Sequence, residues 1–245
     1  MLTPGNRKLG GSLIWGFGLP SGNPEVCVGM TATCQSHCYA KRFEAYRSSA
    51  AAKYQKNLEL TRLPDFAQRM RYFILIHEVK VVRIHTGGEF YSARYIRQWQ
   101  RVIGWLPEVS FFTYTRSWRI PALKVEIDRL AALPNARVWY SCDRETSIPA
   151  DVPASVRLCW LMTHSEDVPP EPVDLVFRIR QLRQQPLDRL QGTRVCPDEN
   201  GKHYARPPHC ESCGHCWRPL PVEASSHRIA LPLLHSNPRE VSCPT

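Results

Sequence analysis

The chain has 245 residues, 43% hydrophobic and 22% charged, enough apolar content to bury a core, so a disordered tail is excluded and one main domain is expected. No stretch approaches the roughly 18 apolar residues of a membrane span, and the start, MLTPGNRKLGGSLIWGFGLP, lacks a secretory apolar core, so a soluble, cytoplasmic protein with no membrane partner is predicted. Seven of the 32 basic residues are Lys and 25 are Arg, against 22 acidic residues, for a net charge of +10; this guanidinium excess suits a polyanionic partner such as a nucleic acid or nucleotide.

Residues 1 to 40 are rich in Gly and Pro around one apolar stretch, Ser12 to Phe17, which reads as a short strand opening into a long loop. From Lys41 to His77 the pattern is helical, with an alanine-rich run near Ser48 to Lys53 and a second helix from about Pro64 to His77. Lys80 to Thr86 is a β-branched run closed by Gly87-Gly88, and Ser92 is the expected N-cap of a helix reaching Trp105. Val109 to Thr115 then reads as a strand, Ile120 to Leu133 as a helix, and Arg137 to Cys142, Val156 to Thr163 and Asp174 to Ile179 as further strands. Pro-rich loops separate the last strands and are too short and broken for full helices. Strand alternating with helix predicts an α/β fold of parallel units, an incomplete (β/α)6 barrel over residues 1–192. Residues 193–245 form a small Cys-rich segment running to about Trp217 and a Pro-rich tail.

Ten Cys in a chain of this size point to metal or redox chemistry, because a reducing compartment disfavours disulfides and the core needs no staples. Cys27, Cys34 and Cys38 lie on the first long loop, and three thiolates there can ligate three irons of a four-iron cluster and leave the fourth iron open. Zinc would ask for a fourth ligand, for which His37 is available but sits too close to Cys38 to chelate without strain. The second group is Cys196-x13-Cys210-x2-Cys213-x2-Cys216-Trp217. Its overlapping C-x2-C-x2-C run with a remote fourth Cys matches a closed four-iron site better than the two separate knuckles of a zinc ribbon. Cys142 and Cys159 lie inside strands and read as packing, though Cys142 ends its strand.

Ligands of parallel β/α folds bind beyond the carboxyl ends of the strands. Those ends here carry Gly87-Gly88-Glu89, Arg116-Ser117-Trp118, Cys142-Asp143-Arg144-Glu145, Thr163-His164 and Arg178-Ile179-Arg180. Glu89 also has a simpler reading, a carboxylate after a tight turn near a helix N-terminus. Cys142, Asp143 and His164 are the candidates for catalysis, and Arg116 and Arg144 for cofactor or substrate contacts.

Cys34-x3-Cys38-Tyr39, the helices that follow and Gly87-Gly88-Glu89 at a strand end resemble the core of a radical S-adenosylmethionine (radical SAM) enzyme. More narrowly, VCVGMTATCQSHCYA, VRIHTGGEFYS and FFTYTRSW resemble the phage and plasmid "gene product 88" family. The wider resemblance implies a barrel of radical SAM type. It also implies a four-iron cluster on Cys27, Cys34 and Cys38 whose open iron is chelated by S-adenosylmethionine, with Gly87, Gly88 and Glu89 receiving the cofactor's amino group. The intervals here are six and three residues rather than three and two, with Lys41 where the third Cys of that core stands. The expected function is therefore an iron-sulfur, radical SAM-like enzyme with two [4Fe-4S] clusters, an external electron donor and a nucleic acid or nucleotide substrate. The alternative is a non-enzymatic iron-sulfur or zinc protein of a mobile element that binds nucleic acid or senses redox state.

Overall fold

The computed structural model describes residues 1–6, 8–199 and 209–219; the Pro-rich tail beyond Pro219, with Cys243, lies outside the described residues. Two residues, Thr3–Pro4 (β1), pair antiparallel with Ile14–Phe17 (β2). Four helices follow: Ala32–Ser36 (α1), Tyr39–Tyr46 (α2), Ser48–Arg62 (α3) and Phe66–Ile76 (α4). Then come Val81–Ile84 (β3), Ala93–Gly104 (α5), Ser110–Thr115 (β4), Pro121–Ala131 (α6), Ala136–Cys142 (β5), Val156–Met162 (β6) and Leu175–Arg178 (β7). The sheet has seven strands in chain order, β1 to β7, with β2 to β7 all parallel.

The expected α/β class and parallel order are present. The strand count differs by one, because β1 is too short to carry a periodic signal. Among the described residues neither sheet edge pairs with the other, so the sheet is not a closed barrel.

Local sequence explains the elements. Ser92 caps α5, its hydroxyl accepting from the Tyr95 amide at 3.3 Å, and Tyr95, Ile96, Trp99, Val102 and Ile103 place one apolar stripe along that helix. Pro121 opens α6 in the first turn, where no amide is needed. No helix separates β5 from β6 or β6 from β7 among the described residues. Those loops are held by carboxylates instead, Asp167 accepting from the Trp160 indole at 3.2 Å and the Thr163 amide at 2.8 Å.

A sequential parallel sheet whose crossovers share one hand places its helices on one face. Leu58 of α3, Met70 of α4, Trp99 of α5 and Ile127 of α6 accordingly join Phe17, Val82, Phe111 and Tyr140 in the main core. The alternate side chains, Ile14, Val81, Phe112, Trp139, Cys159 and Leu175, face the other way. They are covered by the N-terminal loop at Leu9 and by Cys196, Cys210, Cys216 and Trp217. The described part of the C-terminal Cys segment thus helps cover the second face. It includes a small hairpin, Arg189–Leu190 (β8) with Thr193–Arg194 (β9), and a single turn, Cys210–Cys213 (α7). Of the two Trp of α5 and its cap, Trp99 is core whereas Trp105 is 41% exposed.

Candidate functional site

The first Cys loop is bolted to the carboxyl ends of β4 and β5. Thr31 caps α1 by accepting from the Cys34 amide at 2.9 Å, and its hydroxyl donates to Asp143 at 3.1 Å. Glu145 accepts from the amides of Ala32 at 3.0 Å and Thr33 at 2.8 Å, satisfying donors that the start of a helix leaves open. Arg119 donates to the Gly29 carbonyl at 3.0 Å. A Cβ on Gly29 would stand 2.2 Å from the Arg116 carbonyl oxygen, so the two backbones touch there and only glycine fits.

Within this frame the predicted residues converge. Arg116 and Asp143 form a buried ion pair at 2.6 Å. The Glu89 carboxylate accepts from the Thr115 hydroxyl at 2.6 Å, the Arg116 amide at 3.0 Å and the Ser117 hydroxyl at 3.2 Å. Burial raises the Glu89 carboxyl above its usual range despite those bonds. Burial, with Glu89 nearby, pushes the Cys27 thiol up to about 12. Burial also raises Cys34, against the opposing Arg116 guanidinium. The Gly22 amide donates to the Cys27 sulfur and the Lys41 amide to the Cys38 sulfur, each at 3.4 Å. Such N–H···S bonds stabilise thiolates and tune iron-sulfur potentials.

Gly87 and Gly88 have packing roles of their own. Gly88 has φ +74°, and a Cβ there would meet Leu19 at 2.5 Å; the Gly87 carbonyl accepts from the Leu19 amide at 2.9 Å. The other predicted residues stand apart. Cys142 faces the helix layer, fully buried, and burial pushes its thiol up to about 12, which disfavours a nucleophile. His164 is exposed, and Arg144, 61% exposed in its side chain, reaches only the edge of Asp167 at 4.0 Å.

The second group comes together on the covered face. Cys196, Cys210, Cys213 and Cys216 line one small cleft of about 20 Å³, beside Arg194 and His215. Burial pushes Cys196 up to about 12 and Cys216 up to about 11, and raises Cys210. Lys8 and Arg83 oppose those shifts, and Arg194 donates to the Cys213 sulfur at 3.6 Å. The segment is fastened by Trp139 donating to the Cys216 carbonyl at 2.9 Å and by Arg157 donating to the carbonyls of His215 at 2.7 Å and Arg218 at 3.0 Å.

Among the described residues, no three or more Cys, His, Asp or Glu stand close enough to hold a metal ion between them as the side chains lie. Four Cys along one cleft with three cations beside them nonetheless carry the kind of donor atoms that an iron-sulfur or zinc site uses. Thiols that burial keeps protonated lose their protons when a metal takes them.

Residues that sequence reasoning did not single out are Gly29, Thr31, Arg119 and Arg83. Arg119 reaches Gly29 over 90 residues and Thr31 reaches Asp143 over 112, and only Thr31 carries a local signal, a capping hydroxyl three residues before Cys34. Arg83 does carry a signal, a guanidinium in the middle of a buried parallel strand.

Fold and sites together define an α/β protein with a sequential parallel sheet and two groups of thiols, one at the strand ends and one covering the free face. The chain belongs to the gene product 88 family, whose profile matches residues 1–219. It is 32% identical over 141 residues to the Gene 88 protein of Mycobacterium phage L5, covering 52% of this chain and 56% of the relative. It is 31% identical over 138 residues to the Gene 88 protein of Mycobacterium phage D29, with the same coverage. The match thus spans about half the length of these relatives. No solved structure matches the chain. No helix among the described residues is long and apolar enough to cross a membrane.

Proposed function

We propose that the chain is an iron-sulfur enzyme of radical SAM-like type on an incomplete barrel of that class, acting on a nucleic acid or nucleotide. Cys27, Cys34 and Cys38 would hold a four-iron cluster with one open iron, and Cys196, Cys210, Cys213 and Cys216 a second, closed cluster. The observation that carries the reading is the meeting of Cys27 and Cys34 with Glu89, Arg116 and Asp143, residues from four separate parts of the chain, at the carboxyl ends of the strands.

A cluster held by Cys27, Cys34 and Cys38 and reduced by an external donor would supply the one-electron chemistry for cleaving S-adenosylmethionine. The chain's own residues would bind and orient that cofactor. Glu89 uses three of roughly four carboxylate acceptor positions within the protein and keeps one for an ammonium group. Arg116 spends Nη1 on Asp143 and retains further donors for an anionic group. Asp143 holds Arg116 and the Cys loop in one register through Thr31.

The test is an iron, sulfide and zinc assay on full-length protein purified without oxygen, followed by dithionite reduction and addition of S-adenosylmethionine. The reading expects about eight iron and matching sulfide per chain, with slow release of 5′-deoxyadenosine and methionine. Stoichiometric zinc, or loaded protein that neither shifts its cluster spectrum nor forms 5′-deoxyadenosine, removes it in favour of a binding or redox-sensing protein.

A further inference from the structure

Among the described residues, a second cavity holds no cysteine and shares only Lys8 and Arg83 with the surroundings of the second thiol group. Its volume is about 230 Å³, and Tyr39, Phe43, Tyr54, Arg83, Thr86 and Lys8 are among its walls. Gly16 and Gly18 make it possible: a Cβ on the first would meet the Thr86 methyl at 2.5 Å and one on the second the Tyr54 ring at 2.4 Å, so both side chains settle over bare backbone.

The charge in this cavity is unbalanced. Lys8 is already committed, to Asp198 at 2.7 Å and Glu199 at 3.5 Å. Arg83 has no carboxylate partner among the described residues. Its Nη2 donates to the Tyr39 hydroxyl at 2.9 Å, its guanidinium lies 5.8 Å from the Tyr114 ring centre, and its Nε is sealed from solvent with no acceptor. A guanidinium with donors to spare in a site of low polarity selects an anion able to take two of its N–H groups, a phosphate above all.

The mouth of the cavity is aromatic. Tyr39 and Phe43, one helical turn apart on α2, are 61% and 48% exposed, an unusual expense of apolar surface at a pocket edge. Flat exposed rings beside a buried cation form the stacking-plus-phosphate arrangement by which proteins hold nucleotides.

We propose that this cavity binds a nucleoside monophosphate unit, free or at the end of a strand, with its phosphate on Arg83 and its base against Tyr39 and Phe43. The proposal deepens the enzymatic reading by giving its substrate class a site, and it rests on that reading only in calling the occupant a substrate.

The experiment is equilibrium binding to the full-length, anaerobically purified protein with no reductant and no S-adenosylmethionine. The probes are uridine 5′-monophosphate, uridine and a 5′-phosphorylated oligouridylate; uracil avoids any site for an adenosyl group. The monophosphate is expected to bind at least tenfold more tightly than uridine. Arg83→Gln should bring the monophosphate down to the level of uridine, and Phe43→Ala should weaken both several-fold with the melting temperature unchanged. An oligouridylate that binds more tightly than the monophosphate assigns the unit to a strand, and equal binding assigns it to a free nucleotide. Equal affinity for monophosphate and uridine, no binding of either, or an undiminished Arg83→Gln variant overturns the proposal. If Arg83→Gln does not fold, the native phosphate preference and the Phe43 variant decide. Protein that binds the monophosphate but never forms 5′-deoxyadenosine keeps the pocket and loses the radical reading; the converse result keeps the radical reading and loses the pocket.

Discussion

Replacing Asp143 by Ala tests the frame that carries the first Cys loop. Its carboxylate is 0% exposed and pairs at 2.6 Å with Arg116, itself 4% exposed. It also accepts from the Thr31 hydroxyl and from the amides of Glu145 at 2.9 Å and Thr146 at 3.1 Å. Removing one member of a buried pair strands the other charge, at a cost of about 3–5 kcal/mol. The freed turn amides reach water on relaxation and add about 1 kcal/mol. For a chain of this length each kcal/mol moves the midpoint by about 2–4 °C, so a fall of roughly 10–20 °C is expected. Thermal melting under anaerobic conditions reads the stability, and iron per chain reads the loop: the first site should empty, because Thr31 loses its acceptor, while the second stays filled. The double variant Arg116→Met with Asp143→Leu should recover most of the stability, since it leaves no buried charge, yet still fail to load the first site. A fall of less than about 4 °C for Asp143→Ala, or a double variant as unstable as the sum of the singles, would refute the reasoning.

Gly29→Ala should cost about 1–3 kcal/mol and lower first-site iron selectively, because its Cβ lands 2.2 Å from a backbone oxygen that has nowhere to move; unchanged iron would show that the loop slides freely. Cys213→Ala should empty the second site and lower the melting point, whereas Cys34→Ala should empty only the first; a Cys213 variant as stable as the parent would deny the C-terminal segment its metal-dependent hold. Burial, with Arg83 beside it, holds His85 down at about 3 against its ordinary 6.5. The unfolded chain therefore takes up a proton that the folded chain refuses, so this stability is full above pH 6.5 and is lost as pH falls toward about 3, by about 1.4 kcal/mol per pH unit. Glu89, raised by burial, has the opposite slope, so the measurement is the difference between parent and His85→Asn, which keeps a side chain tolerant of the φ of 66°. Identical acid unfolding curves would exclude His85 as the source.

The strands were legible because parallel strands buried on both faces read as continuous apolar runs, as in Phe111-Phe112-Thr113-Tyr114 and Val138-Trp139-Tyr140. The helix α5 was legible from its Ser92 cap and one apolar stripe, whereas Pro64, read as a first-turn residue, lies two positions before α4. What escaped was short or non-local. The two residues of β1 have no period, and α1, only five residues long, is held by Thr31 and Glu145 rather than by propensity. The strand-end rule found Glu89, Arg116 and Asp143, yet it cannot tell a residue that points into a site from one such as His164 that points to solvent. Composition pointed to a small Cys-rich segment after Gly192, and only the topology reveals that it shares with the loop at Leu9 the cover of the sheet's second face.

That cover links the C-terminal thiols to the second cavity through stability. Helices shield one face of the sheet with apolar side chains, and their contribution needs no ligand. The other face, with Phe112, Trp139 and Cys159 on it, is shielded by a segment whose described part holds a single helical turn and whose hold on the sheet runs largely through backbone carbonyls of His215, Cys216 and Arg218. Arg157 and Trp139 donate to those carbonyls only while the segment keeps its turn. If the four Cys hold a metal, as proposed, the turn becomes conditional on that metal. The Cys210 amide donates to the Lys8 carbonyl at 3.0 Å and the Glu211 amide to the Leu9 carbonyl at 3.2 Å, so losing the segment would free the N-terminal loop that lines the Arg83 cavity. The nucleotide-sized cavity and the C-terminal thiols should therefore be gained and lost together, even though no atom of the proposed ligand touches a cysteine.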